Sequence, residues 1–447
     1  MAVWHPNTQM SEWAGLPEVA SARGMWLRLS DGSRLLDGVA SMWCNVWGHS
    51  EPRLVRALAS QARVLQHAPL FNLTHRPAEE LARGIVSFSP GMERVFYSDN
   101  GSSAVEVALK MALQHAQASG TGARRIASLE NGYHGDTAGA MSAGFMPGFF
   151  ARYRGLAFRA VRLPSPDGYR TPRSMTHADH AQRCLEKAEA RLSRGDVAAL
   201  VMESGAQVAG GARVYPPRFQ RSLGRICRRN GVLLIVDEVA TGLGRLGSMA
   251  EYHAQGCRPD IACYGKMLAG GYATIAATAA TGRIYRAFLG AFGDKRHLFH
   301  GHTFTGNPLA AALAVENLAM YRERRLLRHV RGMASELARL AGGLRGIPLV
   351  GDVRCAGLLA GIELVRDRAR KAPVEPPVSA NRIIFEAGRR RGVYLRTLGS
   401  VVLLVPPLAM GPGDLRTLVE RAGGAISDAA PALLGRVDAR RYLRGRG

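Results

Sequence analysis

The stretch that decides the fold is GVLLIVDEVATGLGRLG, residues 231–247, in which five large apolar residues run directly into Asp237 and Glu238. A short apolar run of this kind, followed by glycines, is typical of a strand that is buried on both faces of a sheet. In open α/β sheets, ligands bind at the carboxyl ends of the strands. We therefore expect Asp237 to point into a ligand-binding crevice.

The bulk composition predicts a globular chain of two or three domains, because 447 residues with 47% hydrophobic side chains can bury a large core. The amino-terminal segment lacks the features of a signal peptide, and no apolar run approaches the roughly 20 residues that a membrane helix needs. The six cysteines are scattered without metal-ligand spacing. We expect reduced thiols, no bound metal, no membrane partner and a cytoplasmic location.

The formal net charge of +24 raises a nonenzymatic alternative, since a basic face is the electrostatic signature of nucleic-acid binding. The arginines, however, occur throughout the chain and are not interleaved with an aromatic stacking platform. We interpret them as solvated surface residues and expect no nucleic-acid partner. Lysine is scarce, with five among the 59 basic residues, so a lysine in a special position is informative.

Between about residues 90 and 280, short β-rich runs alternate with helical patterns, which predicts a mainly parallel sheet covered on both faces. A long amphipathic helix with one or more breaks is expected over about residues 308–344, followed by antiparallel strands. The first 60 residues are similar in style to that last region. We predict a large domain over residues 56–320 and a small α+β domain built from residues 1–55 and 321–447. The candidate strands of the large domain are RVFYSD (94–99), RIASLEN (125–131), AALVMES (198–204), VLLIVDE (232–238), DIACYGK (260–266) and IAATAAT (275–281).

Three strand ends carry groups that could act together. Lys266 ends one strand beside glycines, Asp237 ends another, and a third runs into Asn100, Gly101 and Ser102 at the start of a helix. Alone, each has an ordinary explanation as a loop lysine, an N-cap or salt-bridge acid, or a helix cap. Together they supply an amine, a buried acid and an anion cradle. Pyridoxal 5′-phosphate requires these three groups.

The same segments resemble the class III aminotransferases, which are pyridoxal-phosphate enzymes. The resemblance rests on LLIVDEVATGLGRLG (233–247), PDIACYGKMLAGGY (259–272) and HGHTFTGNPLAAALAVEN (300–317). VWHPNTQMSEW (3–13), YHGDTAGAMS (133–142) and LAGGYATIAAT (268–278) are similar to the branch that aminates 8-amino-7-oxononanoate in biotin biosynthesis. The resemblance to class III aminotransferases implies a fold-type I transferase with a seven-stranded, mainly parallel sheet, flanking helices and a small α+β domain.

The resemblance also implies roles for the cofactor site. Lys266 would hold the cofactor aldehyde, Asp237 would pair with the pyridine nitrogen, and Tyr133 would stack on the ring; these three are the expected catalytic residues. Val239 would pack on the other face of the ring, in keeping with its position two residues after Asp237 in an extended chain. The phosphate would be bound by Gly101 and Ser102 and by Thr303 of a neighbouring subunit, which implies a homodimer with shared active sites.

For the small-molecule donor and keto acceptor, the resemblance implies a pocket aromatic, Trp43, and a carboxylate-binding arginine, Arg396. Arg245 would lie near the donor site, and Glu203 and Gln207 occupy a strand end that the family shares. The chain departs from the branch pattern at Asn7, where an aromatic is usual, and at Gly301-His302-Thr303, where Gly-Pro-Thr is usual. Leu243 and Ser204 replace Phe and Pro and are interpreted as packing changes.

These departures leave the substrates open. S-adenosylmethionine is the first candidate donor, and lysine is the second because the Gly-His-Thr form is found in lysine-using relatives. An alternative is an ω-amine or diamine:pyruvate aminotransferase of another pathway, favoured by Asn7 and His302. A remote alternative is a non-catalytic basic binding protein on the same scaffold.

Overall fold

The computed structural model describes residues 2–13, 15–374 and 379–443. The strands are β1 (Val19–Arg23), β2 (Trp26–Leu29), β3 (Arg34–Asp37), β4 (Arg94–Ser98), β5 (Arg125–Leu129), β6 (Val161–Leu163), β7 (Val197–Glu203), β8 (Ala206–Gln207), β9 (Arg213–Val214), β10 (Leu233–Asp237), β11 (Ile261–Tyr264), β12 (Ala276–Ala280), β13 (Val350–Ala356), β14 (Leu359–Asp367), β15 (Ala372–Pro373), β16 (Val393–Tyr394), β17 (Arg396–Leu398) and β18 (Val401–Leu404).

The α-helices are α1 (Ala40–Trp43), α2 (Pro52–Val64), α3 (Arg76–Phe88), α4 (Gly101–Ala118), α5 (Ala138–Ala143), α6 (Pro147–Phe150), α7 (His177–Leu192), α8 (Phe219–Arg229), α9 (Glu251–Ala254), α10 (Gly282–Arg286), α11 (Pro308–Glu323), α12 (Leu326–Gly342), α13 (Ala380–Arg390), α14 (Pro412–Leu433) and α15 (Ala439–Leu443). Short 3-10 turns cover Met10–Glu12, Ala151–Leu156, Lys266–Ala269, Phe292–Asp294 and Gly343–Gly346. No helix within the described part of the chain is long and apolar enough to cross a membrane.

The central sheet has seven strands in the order β4-β12-β11-β10-β7-β5-β6. Strand β12 runs antiparallel to both of its neighbours, and the pairings among β11, β10, β7, β5 and β6 are parallel. The six strands expected from the sequence all lie in this sheet. The seventh, β6, has three residues, and its apolar pattern was too short to stand out.

Helix α4 lies against the middle of this sheet, which explains why its sequence is apolar on most sides. Ala104, Val107 and Ala108 are fully buried, and Thr278 Oγ1 on β12 donates a hydrogen bond of 2.7 Å to the carbonyl oxygen of Ala104. A helix that is packed so closely has its first turn fixed relative to the strand ends. Its amino terminus is therefore a rigid part of the crevice above the sheet.

Two further sheets form beside the central one. The amino-terminal strands join the carboxyl-terminal region, because β3 pairs in parallel with β16, Leu36 opposite Val393, in a sheet of order β1-β2-β3-β16. Strands β13, β14, β18 and β17 form an antiparallel sheet, with β15 beside β14. The expected long helix is α11 and α12, separated at Arg324 and Arg325, where Arg325 has a left-handed φ of +50°.

Candidate active site

A cavity of about 740 Å³ lies over the carboxyl ends of the central strands. Its walls come from the ends of β4, β7 and β10, the segment after β11, the loop after β5 and the turn that follows β3. Its lining residues include Trp43, Asp99, Gly101, Ser102, Tyr133, His134, Asp136, Glu203, Asp237, Val239 and Lys266. The structure thus brings seven of the sequence-predicted site residues into one cavity.

Asp237 is the last residue of β10 and is held by two hydrogen bonds. Its Oδ2 lies 2.8 Å from His134 Nδ1, and its Oδ1 accepts a bond of 3.0 Å from the backbone N–H of Val239. His134 is buried, and its other ring nitrogen, Nε2, has no hydrogen-bond partner among the described residues. His134 was not predicted from the sequence, although its place beside Tyr133 in YHGD was an available signal. The two contacts fix the carboxylate at the wall of the cavity.

Lys266 follows β11 and begins a 3-10 turn with a left-handed φ of +43°. A non-glycine residue costs about 1 kcal/mol or more in this region, so the surrounding structure must hold it there. Its Nζ lies 5.2 Å from the centre of the Trp43 ring. Desolvation by burial lowers the pKa of Lys266, while the charges of Asp237 and Glu203 act in the opposite direction. The lowered pKa increases the share of neutral, nucleophilic amine.

The start of α4 forms an anion cradle at one end of the cavity. Asn100 caps the helix by accepting a hydrogen bond of 2.9 Å from the N–H of Ser103, which leaves the first backbone N–H groups directed outward. A Cβ on Gly101 would lie 2.5 Å from Val239 Cγ1, so the close approach of these two residues requires glycine. Ser102 Oγ lies 2.7 Å from Thr137 Oγ1, which orients the hydroxyl. This arrangement suits a phosphate group.

Tyr133 and Glu203 also line the cavity. The ring of Tyr133 stacks on Phe150, with centroids 6.2 Å apart, and its hydroxyl donates to Asp136 Oδ1 at 2.9 Å. Glu203 stands directly across from Asp237 in the pairing of β7 with β10. Desolvation, followed by the charge of Asp237, raises the pKa of Glu203 to about 8.

A buried carboxylate, Asp37, organises the turn that presents Trp43. Its oxygens accept hydrogen bonds from the N–H groups of Val39 and Ser41, at 3.2 and 2.7 Å, and Oδ2 lies 3.0 Å from His49 Nε2. Ser41 and Trp43 have left-handed φ angles of +57° and +67°. The turn is therefore strained and depends on Asp37. Nothing in the sequence singled out this residue.

The remaining predicted residues lie outside the cavity lining. Arg396 is at its edge, where its Nη1 lies 2.7 Å from Sδ of the lining residue Met42. His302 Nδ1 pairs with Asp99 Oδ2 at 2.8 Å, and so touches the cavity through that acid. Gly301 lines a separate groove, and Thr303 is exposed.

Two residues that were expected to bind substrate, Arg245 and Asn7, do not line the cavity. Arg245 is only 1% exposed, and its Nη1 donates to the carbonyl oxygens of Leu358 and Pro406 at 2.9 and 2.7 Å. It holds the two segments together beneath the surface and does not line the cavity. Asn7 lies in an exposed amino-terminal loop, also away from the cavity lining.

A buried acid and a half-buried lysine beside a helix amino terminus, at the carboxyl ends of a mainly parallel sheet, define a site of the pyridoxal-phosphate type. The family model of class III aminotransferases matches residues 11–426, and the chain belongs to this family. It is 43% identical to the adenosylmethionine-8-amino-7-oxononanoate aminotransferase of Nitratidesulfovibrio vulgaris, over 95% of this chain and 80% of that protein. The chain is thus an enzyme, as the sequence predicted, and not a binding protein without catalytic activity.

Solved structures agree on the fold. The crystal structure of the enzyme of the same name from Methanocaldococcus jannaschii superposes with a TM-score of 0.89 at 33% identity, covering 98% of this chain and 97% of that one. An amine transaminase from an uncultivated Pseudomonas species, in its PLP-bound form, superposes with a TM-score of 0.91 at 31% identity, covering 96% and 99%. The expected fold-type I architecture is therefore confirmed.

Class III aminotransferases depend on pyridoxal 5′-phosphate, and the cavity fits this cofactor. At the start of α4, where only glycine fits at position 101, the backbone N–H groups carry partial positive charge that suits the phosphate. The buried carboxylate of Asp237 matches the pyridinium nitrogen, and the amine of Lys266 matches the aldehyde. These groups come from separate strand ends and open into the same cavity.

Proposed function

We propose that this enzyme converts 8-amino-7-oxononanoate to 7,8-diaminononanoate, with S-adenosylmethionine as the first candidate donor and lysine as the second. The reaction class is supported by one observation above all, the convergence of Lys266, Asp237 and the start of α4 on one cavity. The substrate is supported by the name of the relatives that match nearly the whole chain. We place the reaction in the cytoplasm, in keeping with six unpaired cysteines.

The cofactor, when bound, supplies an electron sink for the charge that develops when a C–H bond next to an amine is broken. Lys266 would hold the aldehyde between turnovers. When it is not bound to the aldehyde, its Nζ would accept the proton from the substrate carbon as a general base and return it as a general acid. The lowered pKa of Lys266 suits this exchange, because a neutral amine is needed to accept the proton.

Asp237 would pair with the protonated pyridine nitrogen. Its carboxylate is buried, so the ion pair is stronger than it would be in water. Gly101 and Ser102 would donate hydrogen bonds to the phosphate. Val239 and Tyr133 line the cavity and are placed to contact the faces of the ring.

For the acceptor, Arg396 would bind the distal carboxylate. Its Nη1 contacts Sδ of Met42, which lines the cavity together with Trp43 and Lys266. A planar guanidinium binds a carboxylate through two parallel hydrogen bonds. The carboxylate at one end of the substrate would then be held at the mouth while the ketone reaches the interior.

The active unit is proposed to be a homodimer with shared sites. An open groove of about 1410 Å³ lies next to Thr303, and it is lined in part by Phe71 and Phe299, which are 60% and 66% exposed. Exposed aromatic side chains of this size are typical of an interface. A second copy covering the groove would bring its Thr303 towards the phosphate cradle of this chain.

Half-reactions test the function. The purified holoenzyme is mixed with each donor, and the absorbance of the bound cofactor is followed; 8-amino-7-oxononanoate is then added and the product identified by mass. We expect S-adenosylmethionine, or failing that lysine, to change the absorbance, and the acceptor to restore it with formation of the diamine. The substrate assignment fails if neither donor reacts while a simple ω-amine does.

A second candidate is an ω-amine or diamine:pyruvate aminotransferase. His302 and Asn7 depart from the biotin branch, and the TM-score with the amine transaminase is as high as that with the Methanocaldococcus enzyme. Pyruvate as acceptor separates the two candidates. Turnover with pyruvate, and none with 8-amino-7-oxononanoate, would favour the second.

A further inference from the structure

Four carboxylates line the described part of the cavity, and three of them have a side-chain partner. Asp99 pairs with His302, Asp136 accepts the hydroxyl of Tyr133, and Asp237 pairs with His134. Glu203 is the fourth. Its Oε1 and Oε2 accept hydrogen bonds from the backbone N–H groups of Tyr133 and Val208, at 3.2 and 2.8 Å. It forms no ion pair with any described residue.

The surroundings of Glu203 favour the binding of a cation next to its carboxylate. Its side chain lies at the wall of the cavity, with 4% of the residue exposed, and Asp237 stands across from it on the neighbouring strand. Each carboxylate oxygen has two acceptor positions, and the backbone occupies one of each. A buried carboxyl group either keeps its proton or pairs with a cation, because an isolated buried charge is costly, and an ammonium group bound beside Glu203 would hold it in the ionised form. The amine of Lys266 acts on Glu203 through its charge, without a hydrogen bond.

The proposed acceptor supplies such a cation. In 8-amino-7-oxononanoate, the amine sits on the carbon next to the ketone, so it must enter the cavity as deeply as the reacting carbon. Its carboxylate is at the other end, which suits Arg396 at the mouth. Among the acids of the cavity, Asp136 is exposed at the surface and bonded to Tyr133, whereas Glu203 is buried and has no side-chain partner in the part of the chain that the structure describes.

We propose that Glu203 binds the ammonium group at carbon 8 of the acceptor and thereby selects amino ketones over simple ketones. The inference rests on the proposed function and adds a specificity residue to it. Glu203 would then bind the ammonium end of the acceptor, and Arg396 its carboxylate end. The charged groups and phenols that face Glu203 are Asp237, Lys266, Tyr133 and Tyr215. Of these, only Asp237 carries a negative charge, and it would be paired with the pyridine nitrogen of the cofactor.

The test compares two acceptors with the aminated holoenzyme: 8-amino-7-oxononanoate and 7-oxononanoate, which lacks the amine. We expect the wild type to favour the amino ketone in kcat/KM by about ten- to a hundredfold, as for a hydrogen bond to a charged group. In Glu203→Gln, this ratio should fall at least about tenfold, through loss of activity on the amino ketone alone. Asp99→Asn, a change at another cavity acid, should keep the ratio whatever it does to the rates.

The outcomes separate this inference from the function on which it depends. A wild type that aminates both ketones equally well, or a Glu203→Gln enzyme that keeps the full ratio, would overturn the role of Glu203 and leave the proposed function standing. A wild type that aminates neither ketone would overturn both. If Glu203→Gln folds poorly, Glu203→Asp serves as the second variant. It keeps the carboxylate and should retain part of the preference for the amino ketone.

Discussion

His134 Nδ1 lies 2.8 Å from Asp237 Oδ2, and both side chains are buried at the end of β10. The imidazole joins the loop after β5 to the acid that faces the cofactor site. Because the Asp237 carboxylate receives only one other hydrogen bond from the described residues, from Val239 N–H, His134 determines the orientation of that carboxylate. His134 is thus a positioning residue.

His134→Ala is expected to weaken cofactor binding by about ten- to a hundredfold, the range for loss of a hydrogen bond to a charged group. The absorbance of the cofactor that remains bound should also shift, because the protonation of the pyridine nitrogen is less well maintained. Cofactor titration of the apoenzyme gives the dissociation constant. The exposed His253→Ala is the control. An unchanged constant and spectrum in His134→Ala would contradict the positioning role.

Gly101→Ala should damage the phosphate cradle. The new Cβ would lie 2.5 Å from Val239 Cγ1, so either the helix start or Val239 must move. We expect cofactor affinity to fall at least tenfold, by roughly the cost of overpacking a tight contact. Gly413→Ala, in the first turn of α14 with open space around it, should bind the cofactor normally. The double variant Gly101→Ala, Val239→Ala should recover part of the loss; no recovery would show that the steric explanation is wrong.

Asp37→Ala should destabilise the turn that carries Trp43. It removes the acceptor for two backbone N–H groups and the partner of His49, in a fully buried position. We expect a loss of about 2–4 kcal/mol in the free energy of unfolding. Denaturant unfolding of the apoenzyme measures it. Asp31→Ala, in an exposed turn, should cost well under 1 kcal/mol, and equal losses in the two variants would contradict the account.

The stability of the apoenzyme should fall as the pH rises from about 5 to about 8. Burial raises the pKa of Glu203 to about 8, so the unfolded chain releases this proton at a lower pH than the folded one does. The folded state therefore binds more protons in this window, and its stability decreases with pH. Glu203→Gln should flatten the dependence; Glu238, whose pKa burial also raises to about 8, accounts for a remaining slope. A variant with the slope of the wild type would exclude ionisation of Glu203 as a cause.

The sequence predicted the parts of the site that depend on strand ends. The positions of Asp237, Lys266 and Gly101 follow from the rule that parallel strands end at one edge of the sheet. Asp37 could not be found in this way, because it stabilises left-handed conformations at Ser41 and Trp43 that local preferences disfavour. Such turns depend on tertiary contacts.

Arg245 shows a different limit. Its motif implied a place near a substrate, yet in the structure the side chain bonds two carbonyl groups from β-rich segments far along the chain. A motif gives the position of a residue in the sequence, and burial decides which way its side chain points. Thr303 is a third case, since its predicted contact needs a second chain. Its role therefore stays a prediction.

The central claim is that Lys266 is the residue that bonds to the cofactor aldehyde. Borohydride reduction of the holoenzyme makes that bond permanent, and peptide mapping by mass spectrometry then locates the cofactor among the five lysines of the chain. We predict that the added mass lies on Lys266, and that Lys266→Ala keeps its fold, retains no reducible cofactor and loses turnover by many orders of magnitude. Labelling of Lys110, Lys187, Lys295 or Lys371 in its place would contradict the account.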